Sequence, residues 1–206
     1  MITTLLILAS ITFIAMMSPG PDMFLIVKHS GTKERWPAMA CILGICCGVS
    51  VHVAFSILGI AAAIAASATL FSIMKLAGAA YLIYIGLKSL FSKGGFSFNQ
   101  AENSKPEKKS TPFLDGLLCN VLNPKVTIFI LAIFTQVIEP STPVMDKIIY
   151  GLFIALEAFV VWNIFATVIR TKYVLSFIQK FQVAIDRVVG VVLVGFGGAL
   201  ALDEAQ

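Results

Sequence analysis

Long apolar stretches separated by short polar connections run through the whole chain. A helix needs roughly 20 predominantly apolar residues to cross a bilayer. Six stretches meet or approach that length, at about 2–27, 38–63, 69–91, 113–138, 145–169 and 184–202. Glu157 interrupts the fifth stretch, and Asp186 and Arg187 stand at the edge of the sixth. The pattern predicts six transmembrane helices, with a five-helix arrangement as the alternative.

The composition also indicates a membrane protein. Of the 206 residues, 58% are hydrophobic and only 13% are charged, with a mean hydropathy of +0.93. Average soluble domains carry about a quarter of charged residues, so this chain lacks the polar residues to cover a soluble fold. We therefore predict an all-α integral membrane protein with a single transmembrane domain over residues 1–206.

The placement of basic residues predicts the orientation. The longest polar connection, residues 93–112, is rich in Gly, Ser, Lys and Glu and predicts a mobile loop. The first, third and fifth connections carry most cations: Lys28, Lys33, Arg35, Lys88, Lys93, Lys105, Lys108, Lys109, Arg170, Lys172, Lys180 and Arg187. Only Lys75 and Lys147 lie on the opposite side. Because Lys and Arg concentrate in cytoplasmic loops, we expect these three connections in the cytoplasm and both termini outside.

Two segments of the chain resemble each other. "KLAGAAYLIYIG" (Lys75–Gly86) and "RVVGVVLVGFGG" (Arg187–Gly198) match in a cation and two glycines at one fixed offset. The chain also divides into three helices, a polar loop and three helices. Because three is odd, the second half would cross the membrane inverted. We expect two inverted repeats, at about 1–92 and 113–206, joined by the loop at about 93–112.

The first helix of each expected repeat is interrupted by proline. The first carries Pro19, Gly20 and Pro21, and the fourth carries Asn123 and Pro124. Such breaks free backbone N–H and C=O groups, which are tolerated at membrane depth only against protein or a water-filled cavity. Paired, interrupted helices in inverted repeats are typical of secondary transporters. We therefore expect transport, although prolines also kink many membrane helices that bind no ligand.

Polar residues next to the breaks are the candidate site. Asp22 follows the second proline, and a carboxylate there could meet a substrate ammonium group or carry a coupling proton. The alternative is a residue at a cytoplasmic helix end, since Lys28 follows closely. Lys125, with Asn120 and Asn123 near it, lies about mid-membrane and must face the bundle interior. Its ammonium group could bind a substrate carboxylate, or pair with Asp22 or Glu157.

Glu157, midway along the fifth segment, is the other candidate proton carrier, and equally a structural partner for Lys125. His52 is expected to be a hydrogen-bonded structural residue, and Asp115 to stabilise the start of the fourth helix. A GxxxG pattern at Gly44 and Gly48 predicts a close helix contact, either within the protomer or between the protomers of a homo-oligomer.

The pocket predicted from both signs of charge suits a small zwitterion such as an amino acid, moved by alternating access with protons. The alternative is a cation or metal-ion effluxer of similar architecture, which the absence of a His/Cys/Asp cluster disfavours. The four cysteines, Cys41, Cys46, Cys47 and Cys119, lack metal-site spacing, so we expect no metal and no disulfide. No catalytic motif appears, and we expect neither an enzyme, a cofactor nor a nucleic-acid partner.

Five motifs, in order and across the whole chain, carry a resemblance to a known family. They are "SPGPD" (Ser18–Asp22), "LGICCGVSVH" (Leu43–His52), "KLAGAAYLIYIGLKSL" (Lys75–Leu90), "FLDGLLCNVLNPKVTIFILAIFTQ" (Phe113–Gln136) and "DRVVGVVLVGFGGALAL" (Asp186–Leu202). With them the chain resembles the LysE/RhtB superfamily of bacterial amino-acid exporters, in its homoserine/threonine-exporter branch.

The resemblance implies a six-helix carrier of the bacterial inner membrane that exports amino acids with the proton gradient. Threonine, homoserine and homoserine lactone are typical substrates of this branch. The family's proline motif maps onto Pro19, Gly20 and Pro21, and its NPK motif onto Asn123, Pro124 and Lys125. Many members have Asn at the position of Asp22, which leaves open whether Asp22 adds a proton site or reflects a different substrate charge.

Overall fold

The computed structural model describes residues 1–31, 34–94, 111–170 and 172–204. These residues form helices and no strand. The helices are α1 Ile2–Met17, α2 Pro21–Ser30, α3 Trp36–Ala66, α4 Ala68–Leu90, α5 Pro112–Val121, α6 Pro124–Val137, α7 Val144–Val168 and α8 Lys172–Glu204. Most of the predicted loop, residues 95–110, lies outside the described residues, so its mobility remains a prediction.

Four helices are long and apolar enough to cross a membrane: α3, α4, α7 and the part of α8 over Ser176–Leu202. Two further helix pairs, α1 with α2 and α5 with α6, reach that length only together. The chain is therefore an all-helical, multi-pass membrane protein with four to six candidate spans. Each of the six predicted segments corresponds to one of these helices or helix pairs.

Both bent pairs break where the sequence places proline. α1 and α2 meet at 68°, and α5 and α6 meet at 59°. A proline ring excludes the preceding residue from helical backbone angles. Ser18 before Pro19 has ψ 119°, and Asn123 before Pro124 has ψ 102°. Because Pro21 and Pro124 each occupy the first turn of the next helix, where a missing N–H costs nothing, a new helix starts directly after each break.

The predicted start of the sixth segment at residue 184 is wrong. α8 begins at Lys172, and its candidate membrane span is Ser176–Leu202. In its first turns the polar residues Ser176, Gln179, Lys180 and Gln182 are interspersed with apolar ones, of which Ile178 packs against the core and Phe177 is 58% exposed. Mean hydropathy detects such a stretch poorly. As a consequence Asp186 lies well inside the helix and is only 5% exposed.

Glycines bring two helix pairs into backbone contact. A Cβ atom on Gly44 of α3 would overlap the Phe113 carbonyl of α5, and one on Gly116 would overlap the Cys41 carbonyl. The predicted GxxxG contact is thus made within the protomer. α4 and α8 cross in a similar way, because a Cβ atom on Gly190 would lie 2.6 Å from the Gly86 carbonyl oxygen. Close crossings built on small residues are typical of membrane helices.

The buried apolar residues form two clusters. The larger joins α1, α3, α4, α6, α7 and α8, and the smaller joins α2, α3 and α7. Large apolar side chains also face outward; Phe55, Leu58, Leu152 and Ile164 are each at least 60% exposed. A soluble protein would bury such an array, whereas lipid tails cover it in a bilayer. Residues of both clusters line a cavity between them.

Candidate functional site

A cavity of about 100 Å³ lies where the two helix breaks meet. Its apolar wall includes Val49, Ile85, Phe129, Ile154 and Trp162. Its polar lining comprises Thr12, Ser18, Asp22, Ser89, Asn120, Asn123 and Lys125. Gly20 and Pro21 of the first break also line it, whereas Pro19 and Pro124 do not. The structure therefore brings four of the five predicted polar site residues to one cavity, and Glu157 is the exception.

Asp22 and Asn120 form one side of the cavity. Asp22 lies in the first turn of α2, where the helix dipole favours a carboxylate. Its Oδ2 accepts a 2.8 Å hydrogen bond from Asn120 Nδ2. In the described part of the chain, Asp22 Oδ1 and Asn120 Oδ1 are buried and accept no hydrogen bond. An unsatisfied buried acceptor costs about 1–3 kcal/mol, so both oxygens are suited to a donor that enters the cavity.

His52 supports this side through the Asn120 backbone. In a continuous helix the Asn120 carbonyl would accept from the N–H four residues later, but that residue is Pro124, which has none. The carbonyl instead accepts 3.0 Å bonds from Asn123 N and from His52 Nε2. His52 is 4% exposed. It is hydrogen-bonded, as a structural histidine is expected to be, and it holds the end of α5 in place.

Lys125 also lines the cavity. Asn123 caps α6 by accepting a 3.1 Å bond from Lys125 N, which fixes the start of the helix. The Lys125 ammonium group donates to Ser18 Oγ at 3.5 Å, and Ser18 donates to Asp186 Oδ1 at 3.4 Å. Ser92 donates to Asp186 Oδ2 at 2.8 Å. In each of these bonds a donor meets an acceptor, and together the bonds through Ser18 connect the Lys125 ammonium group to the Asp186 carboxylate.

Asp186 is the acid most closely linked to Lys125. It is joined to the Lys125 ammonium group by the two hydrogen bonds through Ser18. The ion pair between Lys125 and Glu157 that the sequence left open does not occur within the described ranges, nor does one between Lys125 and Asp22.

Glu157 bonds to α1 instead. Its Oε2 and the Thr12 hydroxyl share a short hydrogen bond, and Thr12 Oγ1 also lies 2.6 Å from the Leu8 carbonyl oxygen. A threonine hydroxyl has a single proton. If that proton goes to Leu8, the bond between Thr12 and Glu157 requires a proton on Glu157. If Thr12 instead donates to Glu157, the acid can be ionised, so the geometry accommodates both forms of Glu157 next to the cavity-lining Thr12.

The two breaks are tied to each other. Asp22 is the second residue of α2, and Lys125 is the second residue of α6. Asp22 accepts from Asn120 near the end of α5, and Lys125 donates to Ser18 directly after α1. Each charge at the start of a half-helix thus contacts a polar side chain at the break of the other pair. The two charges have opposite signs.

Asp115 lies in the first turn of α5, as predicted, and its Oδ2 also lies 3.1 Å from His29 Nε2 of α2. Sequence reasoning missed this link and the roles of Thr12, Ser18, Ser92 and Asp186. For Asp186 the misplaced start of the sixth helix hid the signal. In the portion of the chain that the structure describes, no three His, Cys, Asp or Glu side chains form a group that could hold a metal ion. The absence of a metal remains a prediction.

Comparisons with known proteins cover nearly the whole chain. The model of the LysE type translocator family matches residues 13–204. The uncharacterized membrane protein YrhP of Bacillus subtilis (strain 168) is 34% identical over 202 residues, which cover 93% of this chain and 96% of the relative. The threonine efflux protein of Escherichia coli (strain K12) is 28% identical over 210 residues, 99% of this chain and 100% of the relative. The threonine efflux protein of Salmonella typhi is 29% identical over 202 residues, 95% and 96% of the two chains. No solved structure matches.

Proposed function

This chain belongs to the LysE type translocator family, and from its cavity we propose that it exports a small neutral amino acid resembling threonine in exchange for protons. Two of the relatives are named threonine efflux proteins, and the chain aligns with them over almost its full length. That likeness supports amino-acid export in general. The choice of a neutral zwitterion rests on the charges in the cavity.

One observation carries the proposal: the cavity is lined by two buried oxygen acceptors without a donor and by an ammonium group. Asp22 Oδ1 and Asn120 Oδ1 are suited to the ammonium group of an amino acid. Lys125 and the Ser18 hydroxyl are suited to its carboxylate. Because each charged group of the ligand meets the opposite charge, the cost of removing both from water is offset.

The ligand carboxylate would then compete with Asp186 for the Lys125 side chain. The bond from Lys125 to Ser18 is long, at 3.5 Å, and Ser18 to Asp186 is 3.4 Å. Such long bonds are weak, so a carboxylate in direct contact with the ammonium group would replace them favourably. The apolar wall around Val49 and Phe129 would contact the side chain of the ligand. A second net charge on the ligand would meet no partner there and would be disfavoured.

We assign the coupling proton to Glu157. A carrier must bind a proton in one state and release it in another, and Glu157 makes a hydrogen bond that is satisfied when it is protonated. It is half-buried on α7, beside the cavity-lining residues Ile154 and Ala158. Movement of α1 against α7 would separate Glu157 from Thr12 and expose the acid to water, which favours release of the proton.

Alternating access would use two inverted repeats. α4 and α8 would be related by a two-fold axis in the membrane plane, and their contacts agree with such a relation. The fixed offset between the two sequence motifs maps each residue of α4 onto a residue of α8, and the reverse. Applied to the contact between Gly86 and Gly190, it gives a pair that differs by one residue at each position from the observed contact between Ala79 and Gly197. The bent pairs α1–α2 and α5–α6 would be related in the same way. Rocking of one half against the other opens such carriers to each side in turn.

We further propose that the protein lies in the bacterial inner membrane with both termini outside. In this orientation the ends of α2, α4 and α7 and the start of α3 would share one side of the bundle. Four basic residues lie at or beside these ends: Lys28, Arg35, Lys88 and Arg170. The excess of Lys and Arg on that side supports its assignment to the cytoplasm.

The test is efflux from liposomes. The purified protein is reconstituted, the liposomes are loaded with labelled amino acids, and an inward proton gradient is imposed. The panel contains the neutral amino acids threonine, homoserine and serine, and the charged amino acids lysine and glutamate for comparison. We expect gradient-driven efflux of the neutral amino acids and little of the charged ones. Lys125→Met should abolish it, because the carboxylate loses its partner, while the exposed Lys180→Met is the matched control and should retain it.

The outcomes separate the parts of the proposal. Efflux of lysine in preference to threonine would overturn the neutral substrate. Equal activity of Lys125→Met and Lys180→Met would remove Lys125 from the site. If no amino acid moves with the folded protein, while a monovalent or divalent cation does, the cation effluxer that the sequence left as the alternative is the better assignment.

A further inference from the structure

A second cavity, which shares no lining residue with the first, opens between the start of α3 and the end of α7. We propose that it binds the phosphate headgroup of an anionic phospholipid. The cavity has a volume of about 120 Å³. Its residues are Arg35, Ala38, Met39, Ile42, Asn163, Ala166, Thr167 and Arg170. It contains two arginines, and among the residues that the structure describes no carboxylate side chain contributes to its lining.

The two guanidinium groups are the recognition elements. Arg170 is oriented by a 2.7 Å bond from its Nη2 to the Glu34 carbonyl oxygen, which leaves its other N–H groups available. Arg35 directly follows Glu34 in the chain, so this bond brings the Arg170 side chain to the backbone next to Arg35. Guanidinium groups bind phosphate oxygens in pairs of parallel hydrogen bonds, and they keep their charge at any physiological pH. Two of them around one cavity create a site for a single phosphate.

The other polar residues of the cavity do not compete for this role. Asn163 Nδ2 donates to the Phe159 carbonyl at 2.8 Å, and Thr167 Oγ1 donates to the Asn163 carbonyl at 2.8 Å. Both donors are therefore directed back onto α7. The affinity of the cavity for an anion thus depends on the arginines.

The surroundings favour a lipid over free phosphate. The helix ends place the cavity at the level of the headgroups, because α3 begins here and α7 ends here. Ala38, Met39 and Ile42 form an apolar wall within the cavity, and along the outer faces the exposed side chains are apolar, with Leu43 at 38% and Ile164 at 60%. Acyl chains can cover those faces directly below a phosphate at the arginines.

Trp36 adds an independent indication. It is the first residue of α3 and is 65% exposed. Tryptophan side chains with this exposure concentrate at the membrane–water boundary. Basic pockets between helices at that level are typical binding sites for anionic headgroups.

The test measures lipid binding to the intact protein in neutral detergent. Phosphatidylglycerol, phosphatidylcholine with the same acyl chains, and inorganic phosphate are titrated separately, and bound lipid is counted by native mass spectrometry. We expect phosphatidylglycerol to bind about 30-fold more tightly than phosphatidylcholine, from the attraction of two arginines. Arg35→Gln with Arg170→Gln should remove that preference, and Arg187→Gln, an exposed arginine elsewhere, should keep it.

Three results would overturn the proposal. One is equal binding of the two lipids by the wild type, and another is binding of inorganic phosphate as tight as that of phosphatidylglycerol. The third is an equal loss of preference in Arg187→Gln, which would indicate a general surface attraction. If the double variant does not fold, Arg35→Gln alone decides, since it keeps the bond between Arg170 and Glu34. It should lower the preference about fivefold, and an unchanged preference contradicts the site.

Discussion

Gly48 tests how the cavity depends on the spacing of α3 and α5. A Cβ atom at Gly48 would lie 2.6 Å from Asn120 Oδ1, 2.8 Å from Asn120 Cβ and 3.0 Å from Asn120 Cγ. Ordinary contacts of a Cβ atom start at 3.4 Å. Because Asn120 Cβ is attached directly to the backbone, rotation of the side chain cannot relieve the clash. Gly48→Ala must therefore move the end of α5 away from α3 by about 0.6 Å, the difference between 2.8 and 3.4 Å.

That shift acts on Asp22. A displacement of this size along the bond between Asn120 Nδ2 and Asp22 Oδ2 would stretch it from 2.8 Å to the limit of a hydrogen bond. A hydrogen bond to a charged group contributes about 1.5–3 kcal/mol. If the bond holds Asp22 for the ligand ammonium group, a loss of about 2 kcal/mol raises the apparent KM for threonine about 30-fold.

The assay is efflux from proteoliposomes as a function of internal threonine, beside thermal unfolding in detergent. Gly59→Ala is the matched control, since it makes the same change in the same helix and a Cβ atom there meets nothing within 4 Å. The control should leave KM unchanged and stabilise the protein slightly, because alanine favours helix over glycine. A KM for folded Gly48→Ala within twofold of that of Gly59→Ala would refute the reasoning.

Three other predictions follow from the contacts. Gly44→Ala sets a Cβ atom against the α5 backbone and should lower the free energy of unfolding by about 1–3 kcal/mol. A thermal unfolding midpoint equal to that of Gly59→Ala would contradict this prediction. Glu157→Gln keeps a hydrogen-bonding group but cannot titrate, so gradient-driven efflux should stop while threonine exchange without a gradient continues. Loss of both, or of neither, removes Glu157 as the proton carrier. Asp115→Ala removes the acceptor at 3.1 Å from His29 and should destabilise by about 1–3 kcal/mol, measured against Asp146→Ala in the first turn of α7.

The spanning helices and their breaks could be predicted because their causes are local. Apolar length requires a helix in a bilayer, and proline excludes helical angles from the residue before it. Both rules act within a few residues, so Pro19 and Pro124 indicated the breaks without any knowledge of the neighbouring helices. The same locality explains the error in α8. Its first turns mix polar and apolar residues, and which of them pack inward, as Ile178 does, depends on the other helices.

The partners of the charged residues could not be predicted, because they depend on which helix faces which. Lys125 had two acids as candidates from the sequence, Asp22 and Glu157, and the structure links it through Ser18 to Asp186, which sequence reasoning placed at a helix edge. Glu157 bonds to Thr12, 145 residues earlier. A threonine in an apolar helix gives no signal of such a role, since its hydroxyl can bond to its own backbone.

The bonds between the two breaks constrain how the carrier can move. Asn120 bonds to Asp22, and Ser18 bonds to Lys125, so each bent pair is held at its break by the other. An amino acid that takes Asp22 with its ammonium group and Lys125 with its carboxylate would replace weak contacts between the pairs with contacts to itself. The ligand would then bridge the two halves that alternating access must rock. In the proposed mechanism, binding and movement would be coupled at the same four side chains, because opening toward either side would require the breaks to separate, and a bound zwitterion would keep both charges satisfied while they do.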